Sequence, residues 1–315
     1  TSKSQLMKFS QFFSLLLLLS ITTFFACDDD DPSTPGSESQ TITEIAASND
    51  DFTILTSALI KADLDGVLDG SGSFTVFAPT DDAFEQAGIT YLDNLSAEDL
   101  RPILLNHVVA GTILSTDLQA GDNYVSSENA TGPNETKLSL YINNGDQVVV
   151  NNNATVTTPN LMASNGVIHV IDNVISADVD VVDIAMQNSN FSELVGALQA
   201  AEGNLVATLQ TDGPFTVFAP TNDAFEAIAG VTAQLSAAEL ANVLTYHVVE
   251  GNFQSSQLSD DMSVEALNEN TFTIDLSGAN PQILDASGAV ATIVVTDVQG
   301  KNGVVHVINK VLLQE

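Results

Sequence analysis

The chain repeats itself, and that repeat limits its fold more than any other feature. FTVFAPTDDAFE at residues 74–85 returns as FTVFAPTNDAFE at 215–226. LLNHVVAGTILS at 104–115 returns as LTYHVVEGNFQS at 244–255, and NGVIHVIDNVI at 165–175 as NGVVHVINKVL at 302–312. The order is preserved, and residues 74 and 215, 107 and 247, and 169 and 306 are 141, 140 and 137 positions apart, so only small insertions or deletions separate the copies. A unit of that length is a whole domain rather than one turn of a solenoid. The 315 residues therefore divide into two like domains, expected at 42–177 and 181–315.

Each copy opens with apolar residues at helical spacing: Phe52, Leu55, Leu59 and Ala62 in the first, Phe191, Leu194, Val195 and Leu198 in the second. FTVFAP then reads as a short buried strand stopped by Pro79 or Pro220, which lack the N–H a central ladder needs. Asp81 or Asn222 is expected to cap a short helix that carries Phe84 or Phe225 inward. A further helix start is written in Ser96-Ala-Glu-Asp99 and Ser236-Ala-Ala-Glu239, where hydroxyl and carboxylate satisfy each other's backbone amides. Pro102 is expected to kink the first of these helices. From residue 137 the pattern changes to period two, with Asn144-Gly145 as a hairpin turn. Helices crowded into the first half of each repeat and strands into the second argue for an α+β fold.

The N-terminal segment is a separate matter. Met7 and Lys8 open FSQFFSLLLLLSITTFFA, which ends on the small residue Ala26 before Cys27, the only cysteine. A charged start, an apolar run and a small residue describe a secretory signal over residues 1–26, with Met7 as the start. A transmembrane anchor is the competing reading, because about 18 such residues just span a bilayer, but Ser10, Gln11, Ser14, Ser20, Thr22 and Thr23 interrupt the run. The segment resembles a bacterial lipoprotein signal, which implies cleavage before Cys27 and lipidation of it, although Phe24 and Phe25 depart from the usual residues. Asp28, Asp29, Asp30 and Asp31 resemble the acidic signal that sends Bacteroidetes lipoproteins to the outer cell surface. Residues 27–41 then read as a lipidated acidic tether, Pro-, Ser- and Gly-containing and flexible in composition. The expected location is the outer membrane, facing out, with the membrane met only through the lipid.

Charge narrows the partners. Against 41 acidic residues stand 7 basic ones, a formal net charge of −34. Nucleic-acid binding is excluded as an expectation, since phosphates are bound by Lys and Arg that displace condensed cations. Two accounts of the acidity stay open: solubility at high ionic strength, and capture of divalent cations or a basic partner.

The three repeated stretches resemble the fasciclin-type domain, over roughly residues 42–176 and 181–313. The resemblance implies a β-sandwich flanked by several α-helices, and a role in adhesion at cell surfaces or in matrix, with protein or polysaccharide ligands and no catalysis. In animal members an acidic-aliphatic pair before the NGV stretch, and a Tyr-His pair, are linked to integrin binding. Carried over, the second domain keeps Tyr246-His247 and Asp297-Val298 as a possible adhesive surface. The first has Asn106-His107 and Asn160-Leu161, without the tyrosine and the acid.

Residues that could carry chemistry are few. All four histidines, His107, His169, His247 and His306, lie in repeated motifs, but no His-x-His or His-x-x-x-His spacing is present. His169 and His306 alternate with Val167 and Ile171, and with Val304 and Ile308, so they are expected beside the core with their ring nitrogens hydrogen-bonded. There is no Gly-x-Ser-x-Gly elbow and no phosphate-binding glycine loop. DLDGVLD at 63–69 has the alternating oxygens of a calcium loop, but Phe74 stands where its closing glutamate is needed. No catalytic residue, cofactor or metal site is therefore expected, beyond weak divalent-cation binding. The segments at 121–137 and 259–270 differ most between the copies, and either drift or different ligands accounts for that. The reading is an adhesive binding protein; the alternative is an envelope structural protein that acts by self-association, and a hydrolase ranks third.

Overall fold

A computed structural model describes residues 40–314 apart from 71, 90 and 212. The leader, Cys27 and the acidic run of the tether lie outside the described residues. In the first repeat the elements run α1 Ile42–Ser48, α2 Thr53–Lys61, α3 Asp65–Leu68, β1 Phe74–Pro79, α4 Asp81–Gln86, α5 Ala97–Asn106 and β2 Val108–Ala110. Strands β3 Gly121–Ser126, β4 Ser139–Asn144, β5 Val148–Val150, β6 Ala154–Ala163 and β7 Gly166–Ile171 follow. The second repeat runs α6 Val181–Gln187, α7 Ser192–Ala200, α8 Leu205–Leu209, β8 Phe215–Pro220, α9 Asn222–Glu226, α10 Ala229–Thr232, α11 Ala237–Thr245 and β9 Val248–Glu250. It closes with β10 Met262–Glu265, β11 Thr271–Asp275, β12 Gln282–Leu284, β13 Val290–Gly300 and β14 Gly303–Ile308.

The seven strands of the first domain lie in the order β2-β1-β7-β6-β5-β4-β3, and those of the second in the matching order β9-β8-β14-β13-β12-β11-β10. In each, the early strand lies second from one edge, where it pairs parallel with the last one: Phe74 opposite Gly166 and Phe215 opposite Gly303. The long strands β6 and β13 carry register shifts near their middle, which bend the sheet. The sheet of the first domain folds over until β2 meets the end of β3 at a bridge between Val109 and Ser127. Phe77, Leu140, Ile142, Val150, Ala154 and Ile171 share one core inside the fold, which is the packing of a β-sandwich.

A second core lies between the sheet and the helices. Strand alternation decides which residue goes where: Val76, Ala78 and Ile168 meet Phe52, Leu55, Leu59 and Leu104 from the helices, while Phe77 and Ile171 point the other way. The helical stripes seen in the sequence are these packing faces. The architecture is α+β, as expected.

One local expectation is corrected. The caps of α4 and α9 are Thr80 and Thr221, whose hydroxyls accept from the amides of Ala83 and Ala224. Asp81 and Asn222 stand one residue later and accept from the amides of Ile54 and Glu193, tying each helix to its neighbour. Helix α5 continues four residues past Pro102; the carbonyl that loses its partner belongs to Glu98 in the exposed first turn, where water can replace the bond. The segment 121–137 begins with edge strand β3, whose sequence GDNYVS, mostly polar, does not stand out in a hydrophobic pattern.

Candidate functional site

Tyr246 and His247 sit where α11 ends and β9 begins, and the structure buries both, at 0% and 2% exposed. Tyr246 donates its hydroxyl to the Thr271 carbonyl at 2.8 Å and accepts from the Ala286 amide at 3.1 Å. His247 accepts at Nε2 from the Leu312 amide, 2.8 Å away. An amide can only donate, so the ring proton lies on Nδ1, which donates to the Val243 carbonyl at 2.8 Å. His107 repeats this in the first domain, accepting from the Ile175 amide at 2.9 Å and donating to the Ile103 carbonyl at 2.7 Å. Each ring clasps the last turn of a helix to the end of its domain. Burial holds both rings neutral, with pKa values pushed down to about 4.

Asp297 and Val298 lie in the bulge of β13. Val298 is 1% exposed and belongs to the core of the second domain. Asp297 takes a left-handed backbone conformation, φ 62°, and turns its carboxylate onto Ser255, accepting from the Ser255 amide at 2.6 Å and from its hydroxyl. Asn160 has the same conformation, φ 61°, and does the same work: Oδ1 accepts from the Ser115 amide at 2.9 Å and Nδ2 donates to the Ser115 hydroxyl at 2.8 Å. The first domain has lost the acid without losing the contact, because an amide and a carboxylate both present an oxygen to an N–H. In both domains the bulge amide donates to a histidine, Asn160 to His169 Nδ1 and Asp297 to His306 Nδ1, each at 3.3 Å. The other ring nitrogens donate to the carbonyls of Ile113 and Phe253 at 2.9 and 2.8 Å. The rings stack on Phe77 and Phe218 at 5.5 Å.

The structure thus sets Tyr246-His247 at β9 and Asp297-Val298 in β13, with β8 and β14 between them in the sheet, and withholds three of the four from any surface. Tyr246, His247 and Val298 are interior, so a partner cannot touch their side chains while the domain is folded. All eight imidazole nitrogens are engaged with backbone groups, an arrangement that fixes loops rather than moving protons. Among the described residues no cluster of three or more His, Cys, Asp or Glu side chains is placed to hold a metal ion. In the calcium-like segment at 63–69, Asp69 accepts from the Thr43 hydroxyl and Asp65 begins α3.

The NGV stretch has an equally structural account. Asn165 accepts from the Ile42 amide at 2.9 Å and donates to the Leu68 carbonyl; Asn302 accepts from the Val181 amide at 3.0 Å and donates to the carbonyls of Leu209 and Thr211. Each therefore ties the first helix of its domain to the sheet. A Cβ on Gly166 or Gly303 would overlap the Phe74 or Phe215 carbonyl of the parallel strand.

The segments that differ between copies have different fates. Residues 121–137 and the start of β4 face the second domain, where Asp122, Tyr124, Pro133 and Ser139 meet Asn190, Asn188, Asn252 and Gln299. No expectation from the sequence marks these as contact residues, although a pair of tyrosines, Tyr124 and Tyr141, in one copy where the other has Ser263 and Thr273 is the signal that was there to be read. Residues 259–270 contain strand β10 and send Val264 and Ala266 into the core, while Glu265, Ala266, Leu267 and Glu269 line with Glu250 an open cleft of about 440 Å³. No helix among the described residues is long and apolar enough to cross a membrane.

A family model for the fasciclin domain matches residues 50–177 and 189–314. Human periostin is 29% identical over 256 residues, which cover 79% of this chain but only 29% of periostin. Protein sll1483 of Synechocystis is 40% identical over 138 residues, 42% of this chain and 72% of that protein. Among solved structures, a FAS1 domain pair from the insect cell adhesion molecule Fasciclin I superposes with a TM-score of 0.49 at 18% identity, covering 82% of this chain and 95% of that one. With two tandem matches that span most of its length, the chain belongs to the fasciclin domain family.

Proposed function

We propose that the chain is an exported adhesion protein that binds polysaccharide, matrix protein or neighbouring cells, held at the outer membrane by lipid on Cys27. The tandem of fasciclin domains carries this reading, since binding to extracellular protein or polysaccharide is what that family resemblance implies. Two modest sites on one chain, and many chains on one surface, give firm attachment through effective concentration without any tight single contact. With Tyr246, His247 and Val298 buried, the contact falls to exposed residues elsewhere, of which Glu265 and Glu269 in the segment 259–270 border an open cleft of the second domain. Asp297 then acts through the loop it holds at Ser255.

The test uses the soluble fragment 28–315 displayed at high density on an array of glycans and matrix proteins, with and without millimolar calcium. Saturable binding that is lost when residues 259–270 are exchanged supports adhesion and places it in the second domain. A blank array, together with assembly of the fragment that depends on concentration and strengthens at high salt, favours self-association in the envelope instead.

A further inference from the structure

The linker between the domains is short and pinned at every step. The Ile175 amide donates to His107, the Ser176 carbonyl accepts from Asn106 Nδ2 at 2.9 Å, and Val179 is buried in the core of the second domain, its carbonyl accepting from the Lys301 amide at 2.8 Å. Lys301 also pairs through its ammonium group with Asp178. Beside this linker runs a seam. Tyr124 packs its ring against the core of the second domain and accepts at its hydroxyl from Asn188 Nδ2 at 2.9 Å. Asp122 accepts from Asn190 Nδ2 at 2.6 Å and from the Tyr141 hydroxyl at 2.8 Å, and the Gln299 amide donates to the Ser139 hydroxyl at 2.9 Å.

The duplication supplies an internal control. Tyr124 opposite Tyr141 in the first domain corresponds to Ser263 opposite Thr273 in the second, since Val125 pairs with Leu140 as Val264 pairs with Phe272. The sheet itself does not need the tyrosines, because the second domain builds the same strands without them. They stand only where one domain covers the other.

We propose that the first domain completes the core of the second through Tyr124, so that the pair is one cooperative unit with a fixed angle between its binding surfaces rather than two beads on a string. The divergence of residues 121–137 follows from this joint. It places recognition by the first domain away from that segment and makes the pair selective for ligands that reach both domains in one geometry.

Hydrogen exchange on the fragment 28–315 tests it, comparing wild type with Tyr124→Ala and with the milder Tyr124→Phe, which removes only the hydroxyl contact to Asn188. Because amides report the opening free energy of their own region, amides of α6, which belong to the other domain, are expected to exchange about tenfold faster in Tyr124→Ala and to be less affected in Tyr124→Phe. Calorimetry of the wild type is expected to show one transition. Two transitions in the wild type, or α6 exchange unchanged in Tyr124→Ala while that of β4 rises, would overturn the proposal.

Discussion

Acid should weaken this protein through His107 and His247, and the size of the effect follows from where they sit. Both rings are interior and neutral, with Nε2 occupied by an amide donor, so a proton has no place to go without breaking a bond. Their folded pKa values are near 4, whereas an unfolded chain takes up protons from 6.5 downward. Between those values the unfolded state binds more protons, so stability rises with pH, is complete above 6.5 and is lost as pH falls toward 4. At pH 5 the loss amounts to about 2 kcal/mol for each ring, and about 4 kcal/mol for the pair when both domains unfold in one transition. Burial lowers the pKa of His169 and His306 as well, so all four histidines act in one direction. The opposing influence is the net charge of −34, whose self-repulsion relaxes in acid; roughly 0.5 M salt screens most of it. Urea denaturation at that salt, at pH 7.5 and at pH 5, is the assay, read on wild type and on His107→Gln with His247→Gln. Glutamine keeps a donor and an acceptor but does not titrate, so the double variant should lose the share of the difference that these two rings supply, about 4 kcal/mol. An undiminished difference in the double variant would refute the assignment of acid sensitivity to these two clasps.

Other consequences are simpler to state. Gly303→Ala should cost about 3 kcal/mol or more in denaturant titration, because the added methyl meets the Phe215 carbonyl and the parallel strands must part. Asn302→Ala leaves a buried amide and two carbonyls without partners and should cost about 3 kcal/mol, read in the same titration. Asp297→Asn should cost less than about 1 kcal/mol and leave array binding intact, since Asn160 already fills the equivalent place; a large loss of binding would show that the charge itself is recognised. Tyr246→Phe removes one donor and one acceptor and should cost about 1–2 kcal/mol without selectively changing ligand binding.

That the chain holds two like domains could be read from it because duplication is a comparison of the sequence with itself, and it needs no knowledge of folding. Helices were legible from apolar spacing at Leu55 and Leu59 or Leu194 and Leu198, and the late strands from alternation, because those periods are set by local backbone geometry. The α+β class followed. What spacing could not show is depth. Tyr246-His247 and Asp297-Val298 look the same in the sequence whether they face a partner or a core, and only the packing of α11, β9 and β13 turned them inward. The parallel pairing of β1 with β7 joins residues some 90 positions apart, which no local pattern encodes, and it alone explains why a glycine must follow Asn165. The seam was hidden for the same reason: β3 is mostly polar, and its tyrosine gains a purpose only when a second domain, folded on its own pattern, comes to rest against it. Local chemistry determined the elements and their order, and long-range contact decided which of their residues are surface, which are core, and which hold the two domains together.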